Sequence, residues 1–158
     1  FVEPIRYRPE TWAADAVGRR RLAGLDAPDR MAAAELLSCG MKVHIAYAVA
    51  ADRPDDPVAR LDDDAVPVLR DIEAAAVARA LKPGQPLTVR FDGAPLALAL
   101  PDLAGAILAR VDGRRSVAAI RADPSALDRR LDDRAFAAAF RATYDALSGI
   151  NRMLLTRP

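Results

Sequence analysis

The stretch CGMKVHIAYAVA holds the chain's one cysteine, Cys39, and its one histidine, His44, five positions apart. A thiol beside an imidazole is what a cysteine nucleophile requires, provided the base lies within hydrogen-bond reach and a third group orients it. The local sequence works against that chemistry. Cys39 falls at an expected helix C-terminus, where the negative end of the dipole opposes a thiolate. His44 falls within an expected strand, and residues five apart along a strand face opposite ways, roughly 16 Å apart. The pair is therefore read as structural. His44 and the nearby Tyr47 remain as candidate partner-contact residues, together with the adjacent Arg114 and Arg115.

Other chemistries are weighed the same way. Asp62, Asp63 and Asp64 could face a hard cation, but a calcium loop needs ligands at alternate positions, a turn glycine and a terminal glutamate. None of these is present, so the run is read as solvated loop. A nucleotide or S-adenosylmethionine loop needs several glycines close together, so that backbone N–H groups can approach the ligand. The glycines here are scattered, Gly18 and Gly24 being the nearest two. Glu3, Glu10, Glu35 and Glu73 show no spacing that pairs carboxylates for acid–base work. Tyr7, Trp12 and Tyr47 are expected to pack, with their polar tips finding a partner. A single cysteine excludes an internal disulfide and a multi-cysteine zinc site.

The totals agree with a chain built for packing more than for a charged ligand. With 158 residues it can bury a core, and at 52% apolar but only 5% aromatic that core must rest on aliphatic side chains. The formal charge of +1 argues against a phosphate-backbone surface. The clusters Arg19-Arg20-Arg21, Arg114-Arg115 and Arg129-Arg130 each have Asp nearby, so nucleic acid is not the expected partner. No apolar run reaches the roughly 20 residues of a membrane helix, and the expectation is a cytoplasmic protein of bacterial, GC-rich character. Phe1 in place of Met is read as excision from something longer.

The elements that must position these residues follow from periodicity. The class is α+β. Residues 1–50 are expected to form a helical segment with a strand: a short helix around Trp12 to Leu25, then one capped by Asp26 with Pro28 in its first turn. Met31, Ala34, Leu37 and Ser38 mark its inner face, with Leu36 close by. Gly40 is its expected terminator, and MKVHIAYAV alternates as a strand from about 41 to 50. Residues 51–66, rich in Asp and Pro, read as a linker. Residues 67–158 then read as a winged-helix-like subdomain. It comprises a helix opened by Pro67, a hairpin PLTVRF/APLALAL turning at Asp92-Gly93, a helix over 101–111, and a Ser116-capped VAAIRA helix. A long helix follows from Asp132 or Asp133 to Gly149, with a stripe of Phe136, Ala139, Phe140, Thr143, Tyr144 and Leu147, and INRMLLT closes as a strand.

YRPETW, the helix RMAAAELLS, the strand MKVHIAYAV and the segment LAGAILARVDGRRSVAAIRA together resemble the C-terminal region of bacterial class I S-adenosylmethionine-dependent methyltransferases, the regulatory part that follows the catalytic domain. The resemblance covers most of the chain and rests on pattern, without an invariant motif. It implies that the cofactor site lies in an N-terminal Rossmann-like domain, whose glycine-rich motif has no counterpart here. No catalytic, cofactor-binding or metal-binding residue carries over, and this chain alone is expected to be non-catalytic. The implied partners are the catalytic domain of the same polypeptide, a protein or peptide substrate, and a second copy in a homodimer. DGRRSVAAIRA also looks like the small winged-helix modules that bind leader peptides, where an edge strand pairs with the peptide. LTVRF, Leu87 to Phe91, is the edge that could act so here.

Overall fold

A computed structural model describes residues 5–13, 15–41, 44, 48, 50–53, 59–82, 84–91, 94–123 and 132–156. The fold is α+β. It divides into two compact units, Phe1–Arg53 and Pro54–Pro158.

The first unit contains α1 (Pro9–Trp12), α2 (Ala16–Ala23) and α3 (Ala27–Ser38). Each start has a local cause. Pro9 occupies the first turn of α1, where its missing N–H costs nothing. Asp15 caps α2 through Gly18, and Asp26 caps α3 by accepting from the Asp29 N–H at 2.9 Å. α1 packs on α3 and on α2. Among the described residues the apolar centre is small: Ile5, Pro9 and Ala34 are the buried side chains. Leu36 and Leu37 are exposed, at 76% and 45%, so the inner face of α3 is narrower than expected and is carried by Ala34. Arg30 supplies what burial does not, donating to the Leu22 carbonyl at 2.9 Å and pairing with Glu10 at 2.6 Å.

The end of α3 corrects one expectation. Cys39, not Gly40, takes the left-handed conformation, with φ of 50°. Its thiol donates to the Leu36 carbonyl at 3.1 Å, answering one of the helix's orphan acceptors. Most of the expected strand over 41–50 lies outside the described residues, and Met41, His44, Ala48 and Ala50 are irregular.

The second unit is built on α7 (Asp133–Gly149). Asp132 caps it by accepting from the Ala135 N–H at 2.6 Å, and Phe136, Ala139, Phe140, Thr143 and Leu147 form the buried stripe. The rings of Phe136 and Phe140 lie 5.8 Å apart. Thr143 is fully buried, and its hydroxyl donates to the Ala139 carbonyl at 2.8 Å. α5 (Ala104–Leu108) and β4 (Met153–Thr156) pack on α7, and Ile107 and Leu108 of α5, Ile120 of α6 (Val117–Arg121) and Met153 of β4 are all without solvent exposure. Ser116 caps α6 through the Ala119 N–H. The helix expected over 101–111 is confined to α5, with single turns on either side.

The helix expected to open at Pro67 is instead a strand and a shorter helix. β1 (Val66–Leu69) pairs antiparallel with β4, Val66 opposite Thr156 and Leu69 opposite Met153. The chain then turns through Asp71, whose φ of 55° no helix accepts, and α4 spans Ala74–Ala80. Val66, Pro67 and Val68 suit a strand better than a helix start, and the apolar spacing fits both. β2 (Leu87–Phe91) and β3 (Ala94–Leu98) form the expected hairpin, in register from Leu87 opposite Leu98 to Phe91 opposite Ala94. The turn itself, Asp92-Gly93, lies outside the described residues.

Part of the acidic stretch is bonded into this unit. The Ala65 carbonyl accepts from Val117 N–H and that of Asp63 from Ala118 N–H, each at 3.0 Å. Asp63 also receives Arg121 at 2.7 Å, which biases that guanidinium further toward its charged form.

Candidate functional site

In the first unit, three chain segments converge on His44. Tyr7, ahead of α1, places its hydroxyl 2.7 Å from His44 Nδ1, with the two rings stacked at 6.0 Å between centroids. Glu35, on α3, places Oε1 3.5 Å from His44 Nε2. Tyr7 is half-buried, while the His44 and Glu35 side chains are 52% and 51% exposed. The imidazole is thus held on one side by a phenol and faced on the other by a carboxylate. Cys39 takes no part: its thiol is bonded to its own helix. Sequence reasoning singled out His44, expected the Tyr7 hydroxyl to find a partner without naming it, and read Glu35 as structural. Glu35 sits one turn before the helix end and Tyr7 lies 37 positions away, so no spacing rule joins them. Tyr47 lies outside the described residues.

Arg114 and Arg115 belong to the second unit and meet at one turn. Asp112 Oδ1 accepts from both backbone N–H groups at 2.9 Å, and its Oδ2 accepts from Arg115 Nε at 2.9 Å. The Arg115 N–H, then the Arg114 N–H, draw the Asp112 carboxyl from its ordinary 3.8 to about 2 by stabilising its anion. Gly113 follows at φ 73°, with Val68 close to where a Cβ would stand. Arg115 continues to Asp123 at 3.1 Å, and Asp123 also faces Arg110 at 3.4 Å. Arg115 therefore works inside the unit, while the Arg114 side chain is exposed.

The second unit also carries an apolar cavity of about 170 Å³ beside the hairpin, lined by Ile72, Val77, Leu87, Val89, Leu147 and Ile150. Arg90 and Arg152 complete the lining, and Arg152 pairs with Asp71 at 2.8 Å. Among the described residues each strand of the hairpin has one partner, so both outer edges are unpaired. Among the described residues no three His, Cys, Asp or Glu side chains converge as a metal cluster, and no helix is long and apolar enough to cross a membrane. Comparison with family models, with curated proteins and with solved structures finds no match to this chain.

Proposed function

We propose that this chain is a non-catalytic accessory region of an S-adenosylmethionine-dependent methyltransferase, and that it recognises a protein or peptide substrate through its winged-helix-like second unit. The sequence resemblance supports the first half of this reading. The observation that carries the second is the β2–β3 hairpin. Among the described residues neither outer edge has a partner, so each offers backbone N–H and C=O groups to an added strand. Leu87 and Val89 of β2, two residues apart and so on one face, both line the apolar cavity. An extended peptide laid along β2 would gain main-chain hydrogen bonds from the edge and a side-chain pocket from the cavity. The cofactor belongs to the preceding catalytic domain, in the same polypeptide.

Two measurements test the two halves. Calorimetric titration with S-adenosylmethionine is expected to show no binding to this chain, and micromolar binding would overturn the accessory reading. Peptides selected by display against the chain are expected to slow hydrogen exchange at the amides of Leu87–Phe91. Selected peptides that protect only other segments would overturn the hairpin reading.

A further inference from the structure

We infer that the peptide docked along β2 is selected by one apolar side chain, of Leu, Ile, Met or Phe, and by a carboxylate two positions from it; this selectivity rests on the hairpin reading proposed above. Among the described residues the cavity is lined by Leu87 and Val89 of β2 and by no residue of β3. β3 also carries Pro95, which has no N–H to give an added strand. The edge that meets the cavity is therefore that of β2. Leu147 and Ile150 form its closed side, at 1% and 6% exposed. Ile72, Val77, Leu87 and Val89 are half-buried, so the cavity opens to solvent beside the strand. Its volume is about 170 Å³, and an apolar cavity of about 150 Å³ takes up one benzene molecule. The room is that of a single side chain of branched aliphatic or phenyl size, which leaves out Trp.

Charge supplies the second determinant. Among the described residues no acidic side chain lines the cavity, and its two charged residues, Arg90 and Arg152, are both cations. Asp71 Oδ2 is shared between Arg152 Nη1 at 2.8 Å and Arg70 Nε at 3.4 Å. One carboxylate between two guanidinium groups leaves that trio net positive, and the Arg152 side chain is 36% exposed, so an incoming acid can reach it. Successive side chains of an extended peptide face opposite ways, and those two apart share a face at a separation of roughly 7 Å. With the apolar side chain in the cavity, the residue two positions along faces the same lining and meets Arg152. An acid at the adjacent position faces away from it.

A library of random heptapeptides displayed on phage, selected on the 158-residue chain and sequenced, tests this selectivity. The selected peptides are then synthesised and measured by fluorescence anisotropy and by hydrogen exchange of the chain. Peptides that protect Leu87–Phe91 should carry Leu, Ile, Met or Phe with Asp or Glu two positions away. Replacing the apolar residue by Ala should weaken binding on the order of thirty-fold, and replacing the acid by its amide about three-fold. Val77→Phe, which fills the cavity from α4 and leaves the β2 backbone untouched, should abolish the preference for the apolar residue. Arg152→Gln should abolish the preference for the acid alone. Circular dichroism confirms that each variant folds. Peptides that protect Leu87–Phe91 without this pairing, or with the acid equally effective at the adjacent position, overturn the inference and leave the hairpin reading standing. So does either variant if it keeps the wild-type preference. Peptides that protect only other segments, or a selection that enriches none, overturn both.

Discussion

The two units of this chain reach order by different means. In the second, a seventeen-residue helix carries five buried side chains, Ile107, Leu108, Ile120 and Met153 are buried with them, and burial dominates. In the first, three helices share, among the described residues, a centre of Ile5, Pro9 and Ala34, while Leu36, Leu37 and Val17 are exposed. Among the described residues its segments are joined by polar bonds: Arg30 to Glu10 and to Leu22, Trp12 Nε1 to the Arg6 carbonyl, Tyr7 to His44. Apolar burial is worth about 1.5–3 kcal/mol per large side chain, and an exposed ion pair about 0–1 kcal/mol. The second unit is therefore the stiff one.

The largest effect should come from the stiff unit. Phe140 is 1% exposed, and Phe140→Ala should cost about 3–5 kcal/mol in urea denaturation, through lost burial and the cavity left against Phe136. A cost below about 1 kcal/mol would mean that the stripe on α7 is not the core. In the softer unit the corresponding residue is polar. Arg30→Ala removes one bond to α2 and one to the first turn of α1, and should cost about 1.5 kcal/mol. The loss should be read as faster amide exchange in α3.

The comparison also explains what could be read from the sequence. α7 was legible because its cap, its stripe and its length all agree, and α6 because Ser116 precedes an apolar pair at helical spacing. The hairpin was legible because a turn dipeptide, Asp92-Gly93, separates two strand-like runs in the sequence. β1 was not. Val66, Val68, Leu69 and Ile72 fit helical spacing as well as a strand, and the partner that decides the matter, β4, lies at the other end of the unit. The stop of α3 was misplaced by one residue because glycine at position 40 is the better left-handed former, yet Cys39 takes that conformation and bonds its thiol to Leu36. Of the candidate site, His44 was visible by rarity. Tyr7 and Glu35 were not, because only the fold brings them to it.

Two smaller effects sharpen these points, one in each unit. Cys39→Gly should relieve a left-handed cysteine and stabilise α3 by up to about 1 kcal/mol, measured as a higher urea midpoint. Destabilisation would show that the thiol's hydrogen bond outweighs the strain. In the second unit, Asp112 has a folded-state pKa of about 2 against an ordinary 3.8. A depressed carboxylate contributes stability that is complete above its unfolded pKa and disappears as pH falls through the folded one. Stability of the wild type should therefore decline between about pH 4 and pH 2, and Asp112→Asn should flatten that decline.

Native-state hydrogen exchange compares the two units most directly. The amides of α7 from Phe136 to Leu147 should exchange only through global unfolding of their unit, with strong sensitivity to urea. Those of α3 should exchange through local opening, faster and nearly independent of urea. Equal protection in α3 and α7 would contradict the account, since it would mean that the small centre of Ile5, Pro9 and Ala34 holds its helices as firmly as the aromatic stripe holds α7.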